Sequence, residues 1–348
     1  MKRIVWPVLL ALLFLAGLDS YAQTPMERVY ATSQFSGGLG IVVNPGSAVD
    51  TDLTSYSKLT LALLGSVYQQ LVFPESIPAG TPIRIKVGTD DNLLGLLGNM
   101  RVQAYQGGSA VGNSVPLSTL ISLLAGEDQN EIVFIPMNGT TPVTYNAVRI
   151  TYSGVALAGG FRIYEAYYYK PTTTNITCDQ PLDVLSGSTG PIAGSLNGVE
   201  NAYNSIDGNQ STFATIKANV SALNTTHITA LYPVASSPGD SIHLVIRNPA
   251  GLLDLTLLAS NFTVKTYLDT QDNGELDLDP SLLRLRLLPG ATDIQVLTYP
   301  VTHPFNRLEV SLGSGLVNAL GALEVYEISR LAVGPTVNET NEQDRYFT

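Results

Sequence analysis

Asn201-Ala-Tyr-Asn-Ser205-Ile206-Asp207-Gly208-Asn209-Gln210-Ser211-Thr212-Phe213-Ala214-Thr215-Ile216 is a polar turn of Asp, Gly, Asn, Ser and Thr that runs into an apolar segment. Upstream, Asn44-Pro-Gly-Ser-Ala48-Val49-Asp50-Thr51-Asp52-Leu53-Thr54-Ser55-Tyr56-Ser57-Lys58-Leu59 aligns with it without gaps. The alignment sets Asp50 on Asp207, Asp52 on Asn209, Ser55 on Thr212 and Tyr56 on Phe213. A spacing this long indicates duplicated domains, because solenoid and propeller units repeat every 20–50 residues or so, roughly.

The rest of the chain supports the duplication element by element. Phe73-Pro74 corresponds to Tyr232-Pro233, and Ile83-Arg84-Ile85 to Ile242-His243-Leu244. Asn99 to Tyr105 matches Asn261 to Tyr267, Tyr145-Asn146 matches Phe305-Asn306, and Ile163-Tyr164-Glu165-Ala166 matches Val325-Tyr326-Glu327-Ile328. Alternating runs at 82–87, 100–105 and 147–152, each bounded by Gly, Pro or Asn, read as half-buried strands. The Leu-rich runs at 93–97 and 117–124 fit a helical turn or a buried strand equally well. Many short strands without a long amphipathic helix predict an all-β chain of two tandem jelly-roll β-sandwiches.

Lys2 and Arg3 precede an apolar run from Ile4 to Leu15 and the small-residue site Ser20-Tyr21-Ala22, the pattern of a secretory signal peptide over 1–22. The run is shorter than the roughly 20 residues that span a bilayer. The predicted order is a first sandwich over 23–170, a Thr/Pro/Gly/Ser-rich linker over 171–198, a second sandwich over 199–333 and a polar tail over 334–348. The mature chain is expected to be secreted or held at the cell surface, with no membrane span. Cleavage removes Lys2, Arg3 and Asp19, so the net charge of −11 becomes −12. Without a Lys/Arg cluster, that balance sets nucleic acid aside as a partner. Cys178 is the single cysteine, which excludes an intrachain disulfide. Two sandwiches of about 140 residues can each be held by core burial alone.

Ser205-Ile206-Asp207-Gly208-Asn209-Gln210-Ser211-Thr212-Phe213 resembles the opening signature of discoidin-like (coagulation factor type C) domains and of family 32 carbohydrate-binding modules. Ala322-Leu323-Glu324-Val325-Tyr326-Glu327 resembles their last strand. The resemblance implies galactose-binding-like domains in tandem, as in secreted surface proteins of Bacteroidetes. It also implies a structural Ca²⁺ in the second domain, with Asp207 and Glu324 giving carboxylates, Thr212 a hydroxyl and Asn209 a carbonyl, a donor set that suits this hard cation. In the first domain Arg162 stands where the second has Glu324.

Sugar recognition ordinarily uses aromatic faces, and the only Trp, Trp6, lies in the signal segment. Tyr167, Tyr168, Tyr169 and Tyr203 are the remaining candidates; consecutive tyrosines in a strand face opposite sides, so at least one packs inward. Asp269 to Pro280 has oxygen donors at calcium-loop spacing but Pro280 where the loop needs a bidentate Glu. Asn273-Gly274 there predicts a hairpin. No nucleophile elbow or phosphate loop is recognisable. The reading is a non-catalytic exported surface or adhesion protein whose partner is an extracellular glycan or a surface protein. A ligand-free spacer or scaffold pair is the alternative, and a polysaccharide-acting enzyme comes third.

Overall fold

A computed structural model of the chain describes residues 26–61, 64–89, 98–120, 129–154, 160–173, 179–189, 198–218, 225–237, 239–251, 262–276, 284–287, 293–313 and 321–332. The signal segment, the polar tail, Cys178 and the runs at 93–97 and 121–124 lie outside these residues. Among the described residues the regular structure is β, with 3-10 turns at Pro45–Ala48, Leu117–Thr119 and Ala202–Ser205.

In the first half the strands are β1 Met26–Tyr30, β2 Ser33–Gly38, β3 Ile41–Val43, β4 Ser57–Thr60, β5 Gly65–Ile77, β6 Ile83–Thr89, β7 Met100–Gln106 and β8 Ser109–Pro116. They continue with β9 Gln129–Phe134, β10 Met137–Asn138, β11 Thr141–Pro142, β12 Tyr145–Gly154 and β13 Phe161–Pro171. One sheet has the order β3-β4-β13-β6-β9, with β1 also on β13; the other has the order β2-β5-β12-β7-β8. The pairings are antiparallel. Alternation turns Ile83, Ile85, Ile163 and Ile132 of one sheet toward Leu71, Val102, Val148 and Ile150 of the other, which closes a single core.

The second half repeats this order. Its strands are β14 Asp183–Thr189, β15 Gly198–Glu200, β16 Ala214–Lys217, β17 Thr225–Leu231, β18 Ser241–Arg247, β19 Phe262–Leu268, β20 Gln271–Glu275, β21 Arg284–Leu287, β22 Ile294–Pro300, β23 Arg307–Gly313 and β24 Ala322–Leu331. Its sheets run β15-β16-β24-β18-β22-β21 and β14-β17-β23-β19-β20. Every strand of the five-strand paths in the first half therefore has a counterpart. Even a local defect is copied: the register shifts at Tyr164 in β13 and at Tyr326 in β24. The bulged tyrosines pack on the aligned rings, Tyr56 at 5.3 Å and Phe213 at 5.1 Å.

Within the stretch read as a linker, 183–189 is β14, the counterpart of β2 and an edge strand of the second module. Its Ser/Gly content resembles a connection because an edge strand lacks a neighbour on one side and needs few bulky residues. The hairpin near Asp269 also differs in detail. The two-residue turn is Asp269-Thr270, since Leu268 pairs with Gln271, whereas Asn273-Gly274 falls at a register shift inside β20.

Candidate functional site

The signature loops have one geometry in both modules. Asn44 and Asn201 adopt φ of 48° and 54° and open the 3-10 turns. Asp50 accepts from the Asp52 amide at 3.0 Å and from the Ser55 hydroxyl at 2.8 Å; Asp207 accepts from the Asn209 amide at 2.8 Å and from the Thr212 hydroxyl at 2.7 Å. These are Asx-turns that fix the backbone locally. Glu324 is not directed to this loop: it accepts from the Tyr326 hydroxyl at 3.0 Å and pairs with Arg247 at 3.4 Å. The acid that feels Asp207 is Glu327, whose carboxyl is raised to about 7 by burial and then by Asp207. Both acids face outward, because Leu323, Val325 and Ile328 take the core positions and the bulge at Tyr326 turns Glu327 onto the side that Glu324 already occupies; the difference is that Arg247 engages Glu324. In the first module the Arg162 guanidinium lies 4.4 Å over the Tyr56 ring.

The candidate tyrosines divide between core and seam. Tyr168 packs in the first core against Phe73 and donates to Glu75 at 2.6 Å. Tyr167 and Tyr169, on the opposite face of β13, turn toward the second module together with Arg28, Arg84 and Lys86. That face alternates as a solvent face would, yet Lys86 and Tyr167 are each only 1% exposed because the second module covers them. Lys86 Nζ donates to Asp183 Oδ1 at 2.8 Å, to the Val184 carbonyl at 2.9 Å and to the Tyr203 hydroxyl at 2.7 Å. Arg28 reaches Asp183 Oδ2 at 3.3 Å. Tyr203 OH lies 2.5 Å from Asp183 Oδ1 and 2.9 Å from the Leu53 carbonyl, and so ties the first module's signature loop to the second module. Burial opposes the charge of Asp183, but Lys86 and Arg28 outweigh it and hold the carboxyl below the usual range. Beside them Glu165 is pushed upward, first by burial and then by Asp183.

Next to this cluster the seam opens into a cleft of about 360 Å³ lined by Arg84, Glu131, Tyr167, Tyr169, Leu231, Tyr232, Asp269, Asn306 and Arg307, among others. Glu131 accepts from Arg84 at 2.8 Å, and also from Arg307 and from the Tyr167 hydroxyl. Burial works against its charge, but Arg307 and Arg84 overcome it and bring the carboxyl down to about 2. Arg84 also donates to Asp269 at 3.0 Å and lies 5.4 Å from the Tyr169 ring. Asp269 occupies the turn position that Gly107 occupies in the first module, and both have φ of 55°. Both backbone amides donate to the aligned asparagine: Gly107 to Asn146 at 3.1 Å, Asp269 to Asn306 at 2.7 Å. A side chain in this left-handed region is strained where glycine is not. Here it places a half-exposed carboxylate at the mouth of the cleft, fixed from below by Arg84 and Asn306.

Of the cleft residues only Tyr167 and Tyr169 belong to the set that sequence reasoning selected. Arg84 read as a solvent-facing residue, and Glu131 and Arg307 carried no local pattern. Asp269 had a usable signal: comparing the repeats shows an acid where the twin turn has Gly107-Gly108.

No family model and no curated protein matches the chain. Among solved structures, a fucolectin from striped bass serum (Morone saxatilis) is 12% identical, with 86% of this chain and 97% of that chain covered and a TM-score of 0.26. The paired CBM32-1 and CBM32-2 domains of Clostridium perfringens ZmpB are 11% identical over 88% and 92%, with a TM-score of 0.27. The family 32 module of C. perfringens NanJ, solved with galactose, is 14% identical over 41% of this chain and 100% of that one, with a TM-score of 0.27. The chain is similar to family 32 carbohydrate-binding modules in tandem. With identities and scores this low, the jelly-roll assignment stands on the strand order and register given above. Among the described residues no helix is long and apolar enough to cross a membrane.

Proposed function

We propose that the chain is an exported, non-catalytic protein that recognises extracellular glycans at the cleft between its modules, in a surface or adhesion role. The observation that carries this reading is Asp269, a carboxylate in a left-handed turn beside Tyr169 and Asn306 at the mouth of a cleft of about 360 Å³. That volume falls in the range of roughly 300–1,000 Å³ usual for small-molecule sites. Planar acceptors and donors suit sugar hydroxyls, and a tyrosine face suits the apolar side of a pyranose. The two guanidinium groups, Arg84 and Arg307, are balanced by Glu131 and Asp269, so the cleft favours a neutral sugar. Glycoside hydrolysis needs a carboxyl held protonated as general acid. Glu131, held ionised by two arginines, is suited to accepting hydrogen bonds. Export is proposed from the signal pattern over 1–22.

A glycan array on residues 23–348 tests the reading. Tyr169→Ala and Asp269→Ala are expected to weaken any neutral-glycan signal by about tenfold or more, the equivalent of one or two lost polar or stacking contacts, without lowering the unfolding midpoint. Silence of the unmodified chain at millimolar glycan would favour the second reading, a spacer or scaffold pair. That alternative has its own observation, the buried ions of Lys86 and Asp183 that fasten the two modules together.

A structural Ca²⁺ at the second module's signature loop is part of the proposal, with a changed ligand set. Asp207, Asn209 and Thr212 stay, and Glu327 replaces Glu324 as the distant acid, because Asp207 and Glu327 are like charges in each other's field that a cation would relieve. Added Ca²⁺ is expected to raise the thermal midpoint by several degrees relative to chelator, the size of shift that about 1–2 kcal/mol of linked binding gives. Glu327→Gln is expected to abolish that difference. An unchanged midpoint in the unmodified chain would remove the ion.

A further inference from the structure

The outward side of the first module's other sheet carries cations that the seam does not use. Register places Phe35, Gln70, Arg149 and Gln103 side by side across β2, β5, β12 and β7. The Arg149 guanidinium is clamped between two rings, 4.2 Å from the Tyr68 centroid and 4.1 Å from that of Tyr105. Its Nε and Nη2 both donate to the neutral Gln70 Oε1, at 3.1 and 2.9 Å. Among the described residues Nη1 has no hydrogen-bond partner and no carboxylate comes within ion-pair distance. Arg101, diagonal to Arg149 on the next strand, is exposed and among the described residues donates only to Ser114, through its hydroxyl at 3.0 Å and its carbonyl at 2.7 Å. The one acid in the strands of this sheet, Glu75, is taken by Tyr168 and Lys170.

Two arginines with no anionic partner among the described residues are thus held on one face of a chain whose net charge is −11. A guanidinium stacked between rings keeps its charge and a fixed plane, and its open edge matches a carboxylate in bidentate geometry. Phe35, 63% exposed at the end of the row, and the edges of Tyr68 and Tyr105 give apolar surface beside it. This differs from the charge-balanced cleft at the seam.

We propose that this face binds an acidic polysaccharide, with Arg149 and Arg101 holding carboxylates of a uronate-type chain and the aromatic residues bearing on its rings. Charge complementarity selects the occupant, and the aromatic strip selects a sugar backbone over a bare acidic peptide. The inference rests on the proposed glycan recognition but uses a different surface, so the two can fail separately.

The test titrates residues 23–348 with oligogalacturonate, its methyl ester of the same length, and poly-glutamate, with and without added salt. Expected are binding of the free acid, at least about tenfold weaker binding of the ester, the loss that removing one charge-assisted bidentate contact gives, and an affinity that falls as salt rises. Arg149→Gln and Arg101→Gln should each weaken the acid by a similar factor while leaving neutral-glycan binding intact. Arg149→Lys should recover only part, since it keeps the charge and loses the planar fork. If Arg149→Gln lowers the unfolding midpoint, Arg101→Gln, at an exposed position, decides. Equal binding of acid and ester, binding unchanged in both variants, or poly-glutamate bound as tightly as oligogalacturonate would overturn the proposal. Neutral glycans bound at Tyr169 with no binding of the acid would overturn it and leave the proposed function standing; no glycan bound at all would remove both.

Discussion

Replacing Asp183 with alanine is expected to destabilise the protein by about 3–5 kcal/mol, the loss usual when one partner of a buried ion pair is removed. The aspartate is the anion that Lys86 and Arg28 share, and it also accepts from Tyr203. Its removal leaves two cations in a seam where Lys86 is sealed from water. Replacing both members is a different experiment. Lys86→Met with Asp183→Leu exchanges a desolvated pair for apolar packing, and such exchanges are often close to neutral. The double variant should therefore recover part of the loss, since Arg28 keeps only Glu165, at 3.8 Å, in place of Asp183; a double-mutant cycle in urea measures the recovery as coupling. A loss under about 1 kcal/mol for Asp183→Ala, as exposed pairs give, would mean that water enters the seam and that the modules are not fastened there. In the intact chain the pair sits between a strand of each module, β6 and β14, so its removal should also separate one unfolding transition into two.

What the sequence disclosed and what it withheld follow the range of the forces involved. Strand faces are local: Ile83, Ile85 and Val87 alternate with Arg84 and Lys86, and the structure turns the first set inward as expected. The duplicated loop was equally readable, because Asp50 and Asp207 shape their own backbones through bonds to residues two and five positions on. Alternation does not reveal what covers the polar face. Arg84 and Lys86 read as solvent-facing, and a second module with no local signature buries them. The same limit applies to the tyrosines: that neighbours in β13 face opposite sides was legible, while the choice of Tyr169 for the cleft depended on Asp269 and Arg307 from distant strands. Glu324 failed as the partner of Asp207 for a third reason. Arg247 of β18 and the Tyr326 hydroxyl hold Glu324, and the bulge at Tyr326, which the sequence does not announce, brings Glu327 onto the same outward face.

Glu165 gives the second large effect, and its sign is opposite to that of Asp183. It is the counterpart of Glu327, and its carboxyl is raised to about 8, by burial first and then by the neighbouring Asp183, against the partial help of Lys86 and Arg28. An acid whose folded value lies above its unfolded value of 4.5 favours the folded state only while it is protonated. Its contribution is complete below about pH 4.5, is lost as pH rises, and is fully lost above about 8. At 1.36 kcal/mol per pH unit that interval sets a ceiling of about 4–5 kcal/mol. Asp183 acts the other way: its folded value is depressed, so its contribution is present above the ordinary aspartate range and fades as pH falls. Together the two place the most stable seam near pH 4.5, above the ordinary aspartate range and at the lower edge of the interval over which Glu165 loses its proton. Glu165→Gln copies the protonated acid, with an amide that can donate to Asp183. The variant is expected to match the unmodified chain near pH 4.5 and to exceed it by roughly 3 kcal/mol at pH 8 to 9. Urea unfolding at intervals from pH 4.5 to 9 measures this directly. Parallel pH profiles for the two chains would show that Glu165 titrates as a solvated carboxylate, and the seam around it would then have to be open.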